Sequence, residues 1–314
     1  MAHILQYDLR PAKQVERRMM FDAFQVLLAA GFPIRTYKYL GMGSVFFWDY
    51  MLFHKLLGIR DLTSVEIDAS ITQRVDFNKP FRLVTVQMQP IGSALEGLSS
   101  GKRHIVWMDY DEKVSGSMLA DATQAGTMLG DDSICLITVD IEPPTVDREG
   151  EDRRAPNVVW AEYYKQIAGS LWDYRWTSDD FVRASLWARV TDLLRRAIES
   201  GCTGQSKTFL PIFHFLYRDG DHQMMTVGGM FGGKAQRARI RRSELREAVY
   251  YRDSFDNPYK IRVPRFTRRE RYLLDREMPR NAGWSPTEFE AAEEDLGSYS
   301  EIYRFLPAYA ELLL

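Results

Sequence analysis

The sequence predicts an α/β fold in which helices cover both faces of a mainly parallel sheet of about seven strands. Strand-like and helix-like segments alternate along the first two-thirds of the 314 residues, a pattern typical of parallel β–α units. The run 133–141 is almost wholly apolar, as expected for a strand buried on both faces. Two long β-like runs follow, and Asp219, Gly220 and Asp221 form a tight-turn signal between them. The last strand should therefore run antiparallel.

The first helix is predicted at 12–30, where Met20, Phe24, Leu27 and Leu28 form an apolar stripe. Further helices are expected where apolar residues recur at helical spacing, at 44–58, 70–79, 118–129 and 179–201. Strands are expected where β-branched and apolar residues cluster, at 35–43, 62–68, 83–88, 103–111, 133–141, 207–218 and 222–231.

Two segments depart from this alternation. Residues 142–180 begin polar and turn-rich and continue with six aromatic residues, so we predict an insertion that covers the ligand edge of the sheet as a lid. The alternative is a packed helical subdomain. From residue 234 the balance of charged residues changes. Residues 234–271 contain 13 Lys and Arg against 5 Asp and Glu, whereas residues 272–314 contain 3 Lys and Arg against 9 Asp and Glu. We therefore divide the chain into a domain at 1–233 and a C-terminal α+β extension at 234–314, with a short strand at 258–264 and a helix near 268–276.

Composition excludes several classes of protein. The net charge is −2, so bulk charge does not indicate a polyanion-binding protein. Cys135 and Cys202 are too few for a disulfide framework or a cysteine-based zinc site, and we expect both to be buried thiols in a reducing compartment. The sequence shows no secretory signal and no apolar segment of membrane-spanning length, so a cytoplasmic protein without a membrane partner is expected.

A glycine-rich turn joins the first predicted strand to the next helix, at Tyr39-Leu40-Gly41-Met42-Gly43-Ser44. Glycines there let a ligand approach the backbone closely. About 25 residues beyond Gly41, the second strand ends at Glu66, followed by Asp68. A carboxylate at this spacing can accept hydrogen bonds from both ribose hydroxyls. The alternatives are a tight turn without a ligand, and a Glu66 that only caps the next turn. We expect Asp68 to cap the following helix.

Two further carboxylates end the fourth predicted strand, at Asp109-Tyr110-Asp111. Ligands of open α/β sheets bind at the carboxyl ends of the strands. Asp109 or Asp111 could therefore position an acceptor hydroxyl or amine, or act as its general base, with Tyr110 contacting the substrate. The alternative is a solvent-exposed loop end.

The order of elements and these motifs resemble the class I S-adenosylmethionine-dependent methyltransferases over residues 10–233. That resemblance implies a Rossmann-like sheet with strand seven inserted beside strand five, and S-adenosylmethionine as cofactor. It also implies that Tyr39, Gly41, Gly43 and Ser44 cradle the methionine part of the cofactor, while Glu66 and Asp68 lie at its ribose. The sequence departs from the usual motif, because Tyr39 stands in place of an acid and Val45 in place of a third glycine.

Five stretches also resemble a prokaryotic family described as putative O-methyltransferases: LRPAKQVERRMM, YLGMGSVFFWDYMLFHKLLGI, SVEID, RVDFNKPF and VWMDYD. This second resemblance implies that charged residues of the first helix do more than cover a solvent-exposed face, which is the alternative. These residues are Arg10, Lys13, Glu16 and Arg17, and we predict that Arg10 and Lys13 contact substrate.

Methyl transfer to an oxygen or nitrogen of an unidentified acceptor is the function expected. The first alternative is a nucleotide-binding, nucleic-acid-associated protein, in which 234–271 binds phosphates and Tyr250, Tyr251, Tyr259 and Phe266 stack on bases. A basic extension that pairs with its own acidic end would argue against that alternative. The second alternative is an NAD(P)-linked oxidoreductase. The sequence shows no metal-ligand spacing, and it determines neither the acceptor nor the oligomeric state.

Overall fold

The computed structural model describes residues 10–99, 101–145 and 154–307. The helices of these residues are α1 Pro11–Ala29, α2 Trp48–Leu52, α3 Thr72–Asn78, α4 Ile91–Glu96, α5 Gly116–Met128, α6 Pro156–Ala168, α7 Leu186–Gly201, α8 Lys234–Arg242, α9 Arg268–Arg276 and α10 Glu293–Ile302. The strands are β1 Lys38–Gly41, β2 Asp61–Glu66, β3 Val84–Met88, β4 His104–Lys113, β5 Ile134–Asp140, β6 Thr208–Asp219, β7 His222–Gly232 and β8 Tyr259–Ile261.

The strands form one sheet in the order β3-β2-β1-β4-β5-β7-β6-β8. Strands β1 to β5 are parallel, and β7 lies antiparallel between β5 and β6. The Rossmann-like sheet with strand seven beside strand five is therefore confirmed. The expected count of about seven is exceeded by one, because β8 from the extension pairs in parallel with β6.

Alternate residues of the central strands point into two different cores. On β4, Ile105 and Trp107 face the core that includes α1, whereas Val106 and Met108 face the core that includes α5 and α7. All four are at most 1% exposed. A strand with apolar side chains on both faces must be covered on both, so the layered arrangement follows from this pattern.

The predicted helices form with shifted ends. The helix expected at 179–201 begins at Leu186, and its apolar stripe through Ile198 is buried as predicted. The helix expected at 44–58 begins at Trp48 and ends in a π-helical turn, Phe53–Leu57. Helix α4 was not predicted, because its six residues are too few to show a helical period.

The described part of the 142–180 insertion packs as a helical layer, and residues 146–153 lie outside the described residues. Trp172 and Tyr164 both stack on Phe181, with ring centroids 5.3 Å and 5.6 Å from its centroid. Tyr164 and Phe181 are fully buried in the core beside α5 and α7. This arrangement corresponds to the helical subdomain that was the alternative to a lid.

The C-terminal extension contributes to the same core as α1. Ile240, Tyr250, Ile261 and Phe305 are buried together with residues of α1 and β6. The expected short strand is β8, and the expected helix is α9, where Thr267 accepts from the Glu270 amide at 3.3 Å as a cap. The division of the chain at residue 233 stays a prediction.

Helices α5 and α7 cross at a pair of glycines. A Cβ on Gly126 would collide with the Ile198 carbonyl oxygen and would lie 3.1 Å from the Gly201 Cα. Both obstacles are backbone, so neither can move aside as a side chain could. The close approach of the two helices therefore depends on glycine at this position.

Gly126→Ala should lower the free energy of unfolding by about 1–3 kcal/mol, because overpacking outweighs the better helix propensity of alanine. Urea denaturation would measure the loss. Gly116→Ala in the same helix is the matched control, since its nearest obstacle is 3.7 Å away. Equal stability of the two variants would show that the crossing tolerates a side chain.

Candidate functional site

A cavity of about 560 Å³ opens at the carboxyl ends of β1, β2 and β4. This volume lies within the range of small-molecule sites in proteins. Several predicted site residues line the cavity: Gly43, Ser44, Glu66, Asp68, Asp109, Tyr110 and Asp111. The predicted residues Tyr39, Gly41, Lys13 and Arg10 do not belong to its lining. The two carboxylate motifs and the second half of the glycine turn are thus brought together.

Tyr39 lies beneath the cavity. It is fully buried, packs edge to face against Tyr50 and Phe53, and donates its hydroxyl hydrogen to the Asp49 carboxylate. A Cβ on Gly41 would collide with that hydroxyl oxygen. Glycine at 41 is therefore needed to accommodate Tyr39, and a larger residue there would disturb the core whether or not a ligand binds nearby.

Neighbouring side chains also leave no room for a side chain at Gly43. A Cβ there would lie 2.7 Å from the Ser64 hydroxyl oxygen and 2.8 Å from the rings of Phe47 and Tyr50. The Gly43 amide donates to the Ser64 hydroxyl at 3.1 Å. Ser44 follows with φ 49°, so the chain turns through the left-handed region at the rim of the cavity.

Asp49 of α2 supplies a carboxylate that the sequence motif lacked at position 39. It lines the cavity although only 6% of it is exposed. Burial raises the pKa of this carboxyl group, while the positive charge of Arg17 and the Tyr39 hydrogen bond oppose the rise. A carboxylate is thus present beside the glycine turn, but it comes from α2 and not from the end of β1, where the usual motif has its acid.

Glu66 both caps a turn and faces the cavity. Its Oε1 accepts from the backbone amides of Ile67 at 2.8 Å and Asp68 at 3.1 Å, which is the capping role considered as the alternative. No described residue bonds to Oε2. Asp68 accepts from the Ser70 amide at 2.9 Å, and the hydrogen bonds from Ser70 lower the pKa of the Asp68 carboxyl group. Asp68 caps the short helical turn Ala69–Ile71, as expected.

Residues 109–111, which were predicted to end the fourth strand, lie inside a longer, irregular strand that continues to Lys113. Asp109 pairs with Thr138 of β5, and the next ladder pair joins Lys113 to Asp140, so the residues between them bulge over the cavity. Tyr110 donates to Asp121 of α5 at 2.7 Å. Burial and the Asp121 charge raise the pKa of Tyr110, which keeps its phenol protonated. Asp111 is exposed on the rim.

Lys13 lies under Asp109, not in the cavity. Its Nζ is 2.5 Å from the Asp109 Oδ1, 2.9 Å from the Glu16 Oε2 and 3.2 Å from the Tyr217 hydroxyl. Lys13 is 3% exposed and Glu16 is fully buried. The three hydrogens of an ammonium group are accounted for by these contacts. Lys13 thus contacts Asp109 and does not line the cavity, and its contact with substrate stays a prediction.

The charged face of α1 is thus buried, and the alternative of a solvent-exposed face is wrong for Lys13, Glu16 and Arg17. Arg10, at the start of α1, lies elsewhere and pairs with Asp219 at the end of β6, at 2.7 Å. Burial raises the pKa of the Glu16 carboxyl group, and the Lys13 charge opposes that rise. Thr226 also donates to Glu16, so the group is held from two sides.

Lys13→Met should lower the free energy of unfolding by about 3–5 kcal/mol near neutral pH, because Glu16 and Asp109 lose their buried cation. The pKa of folded Glu16 lies above its ordinary value of 4.5, so the fold binds a proton more readily than the unfolded chain. The stability of the variant should therefore increase as the pH falls toward 4.5, and decrease as it rises.

Chemical denaturation at several pH values would measure this. The double variant Lys13→Met/Glu16→Gln is the matched control, and it should recover part of the loss because no buried charge remains at position 16. Additive losses in the double variant would show that the two residues do not depend on one another.

The cavity is strongly acidic. Seven carboxyl groups line it, contributed by Asp49, Glu66, Asp68, Asp109, Asp111, Glu112 and Asp121. Among the described lining residues, Arg17 is the only basic one. A cleft lined by charges of one sign concentrates ligands of the opposite sign. The site is therefore suited to a ligand that carries positive charge.

The sequence model of a protein family described as "Putative O-methyltransferase" matches residues 5–314. The chain belongs to this family. No curated protein sequence matches it.

Solved structures resemble this O-methyltransferase family member only in part. One is a putative O-methyltransferase from Klebsiella pneumoniae, with 14% identity, 73% of this chain and 83% of that chain covered, and a TM-score of 0.38. Another is a putative S-adenosylmethionine-dependent methyltransferase from Listeria monocytogenes, with 8% identity, 63% of this chain and 92% of that chain covered, and a TM-score of 0.36. A third is the Methanococcus jannaschii fibrillarin pre-rRNA processing protein, with 11% identity, 64% of this chain and 70% of that chain covered, and a TM-score of 0.37. With TM-scores below 0.5, these likenesses identify no function for this chain.

Sequence reasoning missed several residues of the site in this methyltransferase chain. Asp49 lies inside a helix-like segment, and Asp121 and Glu112 lie outside any recognised motif. Asp49 was detectable as the only acid in the apolar run 45–58. For Asp121 the sequence carries no signal, since its place depends on how α5 packs beside Tyr110.

In the nucleic-acid alternative, aromatic residues of the extension would stack on bases, whereas the structure places three of them in contacts within the protein. Tyr250 is 1% exposed and donates to Asp22 at 2.7 Å; Tyr259 is 5% exposed and donates to Glu301 at 3.0 Å. Phe266 packs against Tyr299. These side chains pack against other residues of the protein, and they would have to leave those contacts to stack on bases.

Part of the basic extension is also structural. Arg239 donates to the carbonyl oxygens of Ala30, at 2.9 Å, and of Gly31, and its guanidinium group lies 4.2 Å from the Phe32 ring centroid. It thereby caps the carboxyl end of α1. Arg262 pairs with Asp295 of the acidic α10 at 2.8 Å, as the self-pairing alternative expected.

Arg239→Ala should lower the free energy of unfolding by about 1–2 kcal/mol, because two carbonyl oxygens lose their partner and Phe32 loses its cover. Thermal or urea denaturation would detect it. Arg237→Ala in the same helix serves as the control, since Arg237 is exposed and should have little effect. If both variants were as stable as the wild type, Arg239 would not contribute to folding.

Among the described residues, no helix has the length and apolar character needed to cross a membrane, and no group of three or more His, Cys, Asp or Glu side chains could hold a metal ion.

Proposed function

We propose that this protein transfers a methyl group from S-adenosylmethionine to an oxygen or nitrogen atom of an acceptor. The observation that carries the proposal is the acidic cavity at the carboxyl ends of the parallel strands. S-adenosylmethionine carries a sulfonium, an ammonium and a carboxylate group, so its net charge is positive and complementary to a lining with seven carboxyl groups. The pyrophosphate of NAD(P) is an anion and would be repelled by the same lining, which argues against the oxidoreductase alternative.

The residues fit the parts of such a cofactor. Glu66 Oε2 is available to accept from the ribose diol, and its other oxygen is already fixed by two backbone amides. The exposed side chain of Ile67 borders the cavity next to it and offers an apolar contact for a purine ring. Asp49, beside the glycine turn, offers negative charge for the ammonium group, together with the backbone at Gly43 and Ser44.

Methyl transfer itself requires mainly alignment of the acceptor. When bound, the sulfonium group supplies an activated methyl, so positioning of the acceptor in line with it gives much of the rate. Asp109 and Asp111 lie on β4, where we propose that they border the transferred group. The Lys13 ammonium group occupies one oxygen of Asp109, which makes this carboxylate suited to orienting a donor. Nucleic-acid binding through 234–271 stays a prediction.

Isothermal titration calorimetry tests the proposal directly. The protein should bind S-adenosylmethionine and S-adenosylhomocysteine, whereas NAD and ATP should bind far more weakly because of their phosphates. Tighter binding of NAD or ATP would contradict the proposal.

Glu66→Ala should weaken binding of S-adenosylmethionine by about 1–3 kcal/mol, because a charge-assisted hydrogen bond to the ribose is lost. Calorimetry on the folded variant would measure the change. Glu96→Ala is a matched control, since Glu96 is exposed at the end of α4 and does not line the cavity. Unchanged affinity in the Glu66 variant would restrict this residue to its capping role.

A further inference from the structure

The acidic cavity has one basic residue in its wall. Arg17 is the only base among the lining residues that the structure describes, and it is 5% exposed. It lies on α1 one helical turn beyond Lys13, so both side chains leave the same face of the helix. A guanidinium group keeps its charge and carries five hydrogens in a planar fork. Arg17 is therefore equipped to bind an anionic group of a ligand in addition to its contacts within the protein.

The Trp107 ring holds the positive charge of Arg17 at this wall. The Arg17 Cζ lies 5.9 Å from the ring centroid, and the Lys13 Nζ lies 4.6 Å from it. Cations within about 6 Å of an aromatic ring face are attracted to it. The ring is 1% exposed, and its Nε1 donates to the Thr138 hydroxyl at 3.0 Å. Because the ring cannot move away, Arg17 has a fixed neighbour next to the cavity.

Arg17 also lies close to Asp49, the carboxylate beside the glycine turn. Burial raises the pKa of the Asp49 carboxyl group, and the positive charge of Arg17 is the largest influence that opposes the rise. Such an influence decreases with distance, so the two charges are near neighbours. Both residues line the cavity, and the Tyr39 hydroxyl donates to Asp49 from beneath. An acid and a base, each held by other side chains, thus lie together in one wall.

An adjacent acid and base are complementary to the end of an α-amino acid. Its carboxylate and ammonium groups are bonded to the same carbon, so their partners in a protein must also be neighbours. A ligand with a carboxylate alone would be repelled by the seven carboxyl groups of the lining, and a ligand with an ammonium group alone would gain nothing from Arg17. A zwitterion matches both charges at this place.

We propose that Arg17 binds the α-carboxylate of S-adenosylmethionine while Asp49 binds its ammonium group, so that the cavity selects its ligand by the amino-acid end. The inference rests on the function proposed above, because it takes S-adenosylmethionine as the ligand of this cavity. It adds a residue of α1, which lies outside the motifs of β1, β2 and β4. Tyr39 acts only through Asp49 and is a positioning residue.

Three thioether ligands separate the two charges from the rest of the cofactor. S-Adenosylhomocysteine has the ammonium and the carboxylate groups, S-adenosyl-3-thiopropylamine has the ammonium group without the carboxylate, and 5′-methylthioadenosine has neither. All three are uncharged at sulfur, so the sulfonium charge does not enter the comparison. The first pair isolates the carboxylate, and the second pair isolates the ammonium group.

The wild-type protein provides the first test. In isothermal titration calorimetry, S-adenosylhomocysteine should bind about 10-fold more tightly than the amine without the carboxylate, because its carboxylate gains charge-assisted hydrogen bonds from Arg17. The acidic lining by itself predicts the opposite order, since removal of the carboxylate turns the ligand into a cation. Equal or tighter binding of the amine would overturn the role of Arg17.

Arg17→Met provides the second test. The ratio of the two affinities should fall from about 10 to 1 or below, whereas binding of 5′-methylthioadenosine should not change and would show that the site is folded. Loss of the Arg17 charge also makes Asp49 easier to protonate, but both ligands of the ratio carry the ammonium group, so this effect cancels. An unchanged ratio would contradict the assignment.

Arg18→Met is the matched control for this variant. Arg18 is the next residue of α1, lies 3.5 Å from the Leu306 carbonyl oxygen and does not line the cavity. Its replacement should leave the ratio at the wild-type value. Arg17→Lys keeps the positive charge but not the planar fork, so it should retain only part of the ratio.

Asp49→Asn tests the other half of the site. It should reduce the advantage of the amine over 5′-methylthioadenosine by about 10-fold, while the preference for the ligand with the carboxylate persists. An unchanged advantage of the amine would show that Asp49 does not bind the ammonium group.

The two proposals fail in different ways. If neither S-adenosylmethionine nor any of the three thioethers binds, the proposed function fails. If 5′-methylthioadenosine binds and the carboxylate adds nothing to the affinity, only the role assigned to Arg17 is wrong.

Discussion

The burial of one ammonium group against two carboxylates is the constraint on which much of this structure depends. Lys13 has its charge compensated only where α1 lies with Glu16 beside it and with Asp109 of β4 above it. A buried ion that loses its partner costs several kcal/mol, so other placements of α1 on the sheet are disfavoured. The helix is thereby held in one register across β4, β6 and β7.

The same contacts connect the fold to the site. Thr226 on β7 and Tyr217 on β6 both donate to Glu16, and Asp109 carries the network into the cavity. The position of the β4 carboxylate therefore depends on strands that lie across the sheet from it. This dependence connects an antiparallel hairpin, remote from the glycine turn in sequence, to the acidic cavity.

The strands, the antiparallel hairpin and the carboxylate positions at Glu66 and Asp109 could be predicted, because apolar periodicity, turn residues and strand-end acids are local signals. The place of the last strand beside β5 was expected only from the resemblance to class I methyltransferases. The burial of Lys13 and Glu16 could not, since a charged helix face has the same pattern whether it meets water or a polar network. The burial of Tyr39 away from the cavity could not be predicted either. The motif fixes a position along the chain, whereas the carboxylate in space comes from Asp49, one helix later.

The charge of the cavity bears on how the site would discriminate between ligands. Its lining has seven carboxyl groups and Arg17, so a cationic ligand is favoured. Because the sulfonium of S-adenosylmethionine loses its positive charge when its methyl group leaves, the demethylated product would be held less strongly by the acidic lining. The same electrostatics that would attract the cofactor would therefore also favour release of its product.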